Sequence, residues 1–340
     1  MNKWLGTLSM LGAGRPHKFV TRSKSPGHQF YWNPIKLLFG IPNLLQLSWL
    51  NSGDIGATNC GANPRSNHKQ WRGEERKIVI RKSFNHKAAL LLTIPAIIIV
   101  ISALLLPPIP QPLSYHNFAD HRAWLGIPNF GDVTSNLPFA IVGLWGLIVL
   151  LSPGKVEFTD LRERWLYLAM FASLILTAFG SGYYHLAPDN ARLVWDRIPI
   201  MIVFMALLAA VIAERVTVTT GLLLFPVLEI AGVASVLYWR SSDLRGHGNL
   251  RFYAAVQIYA ILILLLSLLL PAKYTRGSDF AVVVGFYILA KILEETDRQV
   301  FSVGHVVSGH TLKHLAAAGA GYWILRMLLK RKILPTQKSA

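Results

Sequence analysis

The sequence predicts an all-α, polytopic transmembrane bundle: a seven-helix core with one extra span before it. Three observations predict it. Hydrophobic residues make up 53% of the chain and charged residues only 15%, against about 25% charged in soluble domains. Mean hydropathy is +0.41. The apolar residues also fall into long uninterrupted runs, unlike the alternating segments of about ten residues that build barrels. So few charges cannot coat a soluble protein of 340 residues, and the apolar excess must face lipid. The single cysteine, Cys60, excludes an intrachain disulfide and a cysteine-based zinc cluster.

A span needs about 20 mostly apolar residues, somewhat fewer when short. Eight stretches qualify. They are 88–106, closed by Pro107 and Pro108; 137–151, closed by Pro153 and Gly154; 165–181; 198–213; 219–238; 252–270, closed by Pro271; 280–293, the shortest; and 310–329.

The net charge is +17. Residues 1–85 carry +10 of it, and no nucleic-acid-binding motif accompanies it. Among the loops, one side holds the basic arm, Lys155, Arg162, Arg164, Arg215, Lys273, Arg276 and the tail from Lys330 to Lys338. The other side holds fewer cations, among them Arg122, Arg192, Arg197 and Arg298. The positive-inside rule then puts both termini in the cytoplasm.

Residues 1–85 are rich in Gly, Ser, Asn and Lys/Arg and read as a disordered basic arm. Within them, residues 36–50 are apolar enough for an interfacial helix. No clean signal peptide is present, and the arm is also compatible with a misassigned start. Residues 86–335 form the membrane domain.

Ionisable groups beside membrane-embedded segments are costly, so they are candidates for function. Ser181 and His185 are four residues apart and share a helix face. Asp196 stands at the head of the next span. His310 and His314 are also four apart, a spacing with which one helix offers two ligands to a metal. Four spans separate the two clusters, so both emerge on one side of the membrane. Three neutral histidines would leave a fourth zinc position for water, an aspartate could take its proton, and a serine could orient a carbonyl. Plainer roles fit the same residues. His185 can be a hydrogen-bonded interfacial histidine, Asp196 can pair with Arg192 or Arg197, and Ser181 can bond to a helix carbonyl.

Other polar residues carry weaker signals. The 115–135 loop, with His116, Asp120, His121, Asn129 and Asp132, could cap the site or bind a hard cation through oxygen. Asp132 or Ser135 could equally cap helices. Glu294, Glu295 and Asp297 could pair with Arg298 or reach the site, and pairing is the plainer role. Lys291 suits snorkelling. His305 lies off the helical pair. The small residues 317–321 suit close helix packing.

Ser-x3-His, an Asp eleven residues later and a C-terminal His-x3-His together resemble the alkaline ceramidase family. That family sits in a superfamily of seven-helix membrane hydrolases that includes the progestin and adiponectin receptors. The resemblance covers roughly 113–330, including Asn129 to Leu137 before the first core helix. It implies zinc held by His185, His310 and His314, with Asp196 and Ser181 catalytic. It implies hydrolysis of the amide of ceramide or a related lipid amide, giving a sphingoid base and a fatty acid. The family's calcium-binding segment has fewer acids here, with Asp120, Asn129 and Asp132 as the available ligands. The partners expected are a lipid amide and membrane lipids, with no nucleic acid. The alternative is a receptor-like or structural membrane protein that keeps a zinc site without turnover.

Overall fold

The computed structural model describes residues 86–335. The basic arm, the 36–50 stretch and the last five residues lie outside them. The described residues form ten α-helices in order: α1 His86–Leu105, α2 Phe130–Thr134, α3 Leu137–Leu151, α4 Arg164–Leu186, α5 Asn190–Arg215, α6 Val218–Leu244, α7 Arg251–Leu266, α8 Asp279–Glu295, α9 Asp297–Ser302 and α10 Gly309–Lys330. Among the described residues there is no strand, only three isolated bridges. Among the described residues six helices are long and apolar enough to cross a membrane: α1, α2 with α3, α4, α5, α6 and α7. At 17 residues α8 falls outside that count, as does α10, which carries Lys313 and Arg326. All eight expected spans are helices.

Helices α3, α4, α5, α6, α7, α8 and α10 form the seven-helix core, in which α5 is the most buried. Its run from Met205 to Ala213 is almost wholly inaccessible. Four of those nine residues are alanines, which let neighbouring backbones approach closely. The extra helix α1 lies outside this core. Its backbone meets α7 where the Tyr259 hydroxyl donates to the Leu92 carbonyl at 3.1 Å. Large apolar side chains such as Leu105, Leu223, Ile230 and Ile141 face outward around the bundle, as lipid-facing residues do.

Two features bring the candidate residues together. Pro199 has no N–H for the Trp195 carbonyl one turn earlier in α5. Gly180 of α4 lies against that carbonyl, so tightly that a Cβ there would stand 2.0 Å from it. The next residue on each helix is Ser181 and Asp196. At the other cluster, Gly309 opens α10 against the Leu293 carbonyl, where a Cβ would stand 2.3 Å away. This contact seats His310 beside α8 and α9.

At the site end α4 and α5 extend beyond the expected spans. Their polar end turns carry no hydropathy signal, yet they stay helical because Asp189 caps α5, accepting from Arg192 N at 2.7 Å. His185 and Asp196 therefore lie within helices rather than in the connecting loop.

Candidate metal centre

His185, His310 and His314 converge and are buried, with one ring nitrogen from each within 4.8 Å of the others. Ring centroids are 4.8 Å apart for His185–His310 and His310–His314, and 5.0 Å for His185–His314. The Nε2 atoms of His185 and His310 are 3.3 Å apart. Ligands of a tetrahedral zinc with bonds of about 2.05 Å would be separated by roughly that distance. The three histidines could hold a metal ion, and no other such group of three or more His, Cys, Asp or Glu occurs among the described residues.

Neighbouring groups set the rings. The Ser135 hydroxyl donates to the Asp132 carbonyl at 3.1 Å, so its oxygen is left to accept from His314 Nδ1 at 2.8 Å. That fixes the proton on Nδ1 and leaves the Nε2 lone pair of His314 available. His185 Nδ1 has no hydrogen-bond partner among the described residues. The Asn129 amide donates to the His185 carbonyl at 2.9 Å, tying the end of α4 to the loop. The Phe118 ring covers His185 and His310, at 4.8 and 4.4 Å between centroids. Asp297 accepts from the backbone N–H groups of Ala119 at 2.7 Å and His310 at 2.8 Å, holding loop and helix together. The 115–129 loop thus caps the cluster.

Ser181 and Asp196 are both buried, each one residue beyond the close contact of Gly180 with the Trp195 carbonyl across α4 and α5. Neither arginine forms an ion pair with Asp196. Arg192 pairs with Asp189, and Arg197 donates to Gln111 Oε1 at 2.5 Å. With His314, Ser181 and Asp196 line a cavity of about 530 Å³. Its remaining walls are mostly apolar side chains of α4, α5, α7, α8 and α10. Ala317, Ala320 and Gly321 also line it, so the small-residue run both packs α10 and leaves room for a ligand.

The other expected residues are engaged with protein groups. Asp120 is gripped by Arg122 at 2.7 Å, and that guanidinium holds its carboxyl below the usual carboxylate range. Asn129 bonds His185 and lies 3.4 Å from His121 Nδ1. Asp132 caps no helix. One of its oxygens accepts from Thr311 at 2.8 Å and Ser308 at 3.2 Å in the first turn of α10, and the other has no partner. Ser135 likewise serves His314 rather than a helix end. His305 is exposed and outside the cluster.

Of the two roles open to Glu294, it takes the second: it reaches the cavity instead of pairing with Arg298. It binds Lys291 and Lys313, the latter at 2.8 Å, and accepts from the Tyr115 hydroxyl at 3.0 Å. Lys313, between the two histidines of α10, also reaches 3.4 Å from His310 Nε2. A lysine inside a helix that also buries its flanking histidines requires a carboxylate nearby, and that was the available signal.

No family model matches the chain, and no curated protein matches it. The fold and its composition are those of an integral membrane protein with a buried histidine cluster.

Proposed function

We propose that this protein is a zinc-dependent hydrolase of the amide bond of ceramide or a related lipid amide, working within the membrane. The observation that carries the reading is the buried histidine cluster, opening through His314, with Ser181 and Asp196, onto one largely apolar cavity. An amide flanked by long chains needs such a lipophilic chamber with a few convergent polar groups.

The donor set suits zinc: three neutral imidazoles, one orientated by Ser135 and one with an unserved ring nitrogen. A bound zinc ion supplies Lewis acidity toward carbonyl and water oxygen. The chain's own residues do the rest. The Ser181 hydroxyl donates to the amide carbonyl oxygen as negative charge develops there. Asp196 takes a proton from the attacking water and passes it to the leaving nitrogen as the C–N bond breaks. A C–O bond forms in its place, and the products are an amine, here a sphingoid base, and a fatty acid. Phe118 and the capping loop limit bulk water. The charge bias of the loops supports both termini in the cytoplasm and the histidine end at the opposite face.

A second reading, a receptor-like or structural site without turnover, is favoured by one observation. Lys313 lies near enough to serve His310 Nε2 itself, giving a protein-only network from Glu294 to the histidines. Metal content of the protein purified in detergent, beside His310→Ala, tests the site. About one zinc per chain is expected, lost in the variant. Metal-free wild type, or full ceramide cleavage by His310→Ala, overturns the proposal. Asp196→Asn then separates the two readings. Loss of sphingoid-base release with zinc retained supports the enzyme, whereas a change in stability alone supports the structural site.

A further inference from the structure

The cavity holds a second polar feature that the hydrolytic reading does not use. Three cations line it: Arg197, Lys291 and Lys313. Both lysines are paired with Glu294. Arg197 is 5% exposed and forms no ion pair among the described residues. Its Nη2 donates to Gln111, another lining residue, and its Nη1 has no partner.

The guanidinium is held in place by rings. Its Cζ lies 4.2 Å from the Trp239 ring centroid, 4.8 Å from that of Tyr253 and 5.7 Å from that of Tyr115. Aromatic faces orient a cation but offer no lone pair to its N–H groups. A buried guanidinium with an idle N–H edge beside a cavity suits a planar oxyanion, which it can bind through two parallel hydrogen bonds. A headgroup without an acceptor would leave that N–H unserved.

We propose that Arg197 is the recognition group for an anionic headgroup, a carboxylate or phosphate, on the lipid that fills this cavity. The inference rests on the proposed lipid-amide site and narrows its substrate class. Acyl amides with an acidic group near the amide are preferred over neutral ceramide-like amides of the same chain length. The chain lies along the apolar walls, the amide reaches Ser181 and Asp196, and the acidic group turns toward Arg197, one residue further along α5.

The test measures binding by calorimetry in detergent, with the metal-loaded full chain. The probes are N-palmitoylglycine, the neutral N-palmitoylethanolamine, and inorganic phosphate. Wild type is expected to bind the glycine conjugate at least about tenfold tighter than the ethanolamide. Arg197→Gln should lose that difference, Arg197→Lys should recover part of it, and zinc content should match wild type in both. Equal affinities in wild type, or a preference that persists in Arg197→Gln, overturns the proposal. So does Arg197-dependent binding of phosphate as tight as that of the conjugate, which would make this a site for free anions. An Arg197-dependent preference with no cleavage of any amide leaves this proposal standing and removes the hydrolase reading. Cleavage without the preference does the reverse.

Discussion

Both ends of the bundle bury charged and polar groups, and they treat them differently. At the end away from the histidines, Arg331 is 1% exposed and pairs with Glu214, which also accepts from Tyr167 at 2.5 Å. Glu163 accepts from Tyr274 at 2.6 Å and Thr159 at 3.0 Å, and Lys273 lies 4.0 Å away. The Tyr274 ring stacks on Arg331 at 3.9 Å. Single N–H groups of Arg164, Arg215, Arg326 and Arg331 are left over there, and the large cavity reaches none of them. The cluster is closed on itself and ties the ends of α4, α5 and α10 together. At the histidine end, a ring nitrogen of His185, one oxygen of Asp132 and an N–H of Arg197 remain unserved, and a cavity adjoins them. Burying polar groups without partners costs stability, so a membrane protein keeps such groups where something else is to be bound.

The contrast can be broken most forcefully at the closed end. Arg331→Met strands Glu214 and should destabilise the fold by about 3–5 kcal/mol. Thermal unfolding in detergent should show this, with zinc per folded chain unchanged. The same substitution at Arg197 removes an unpaired charge. It should leave stability within about 1 kcal/mol of wild type, the lost ring stacking offsetting the relieved burial. Equal losses at both ends would erase the distinction. A medium effect is expected at Ser135. Ser135→Ala leaves the His314 ring unorientated and should weaken zinc binding by about 10- to 100-fold while the fold persists, as competition with a chelator would report. Unchanged affinity would mean that Ser135 only packs.

The smallest effect concerns the capping loop. Because Arg122 lowers the Asp120 pKa in the folded state, this pair's contribution is fully present above the ordinary aspartate value of about 3.9. It is lost as pH falls through the lowered value. Arg122 is 55% exposed, so solvent screens the pair and the contribution should be small. Asp120→Asn should remove this acid-side dependence, measured as unfolding temperature between roughly pH 5 and 3.

Much of the site was legible from spacing. His310 and His314, and Ser181 and His185, lie on common faces because an α-helix returns after four residues, and both pairs are polar against apolar surroundings. The roles of Ser135 and Asp132 were not legible. Ser135 was read as a local cap and Asp132 as a cap or a cation ligand, but they reach His314, Thr311 and Ser308, 176 to 179 residues away. Glu294 was open to pairing with Arg298 or reaching the site; the fold takes it to the site and gives it Lys291, Lys313 and Tyr115. Arg197 was read only as a loop charge or a partner for Asp196. Its stacking on Trp239 depends on how α5 and α6 face each other.

By itself the sequence determined the class of protein, the eight helices and the five residues worth watching. Composition and periodicity are properties of short stretches, and a membrane makes them decisive because every backbone group must be bonded within its own segment. Only the tertiary structure decided that the three histidines meet, since His185 and His310 are 125 residues apart in the chain. It also decided which buried charges find partners and which face the cavity. Those outcomes depend on how closely particular helices approach, as at Gly180 against the carbonyl that Pro199 leaves free, and interhelical distance is written in no local pattern of residues.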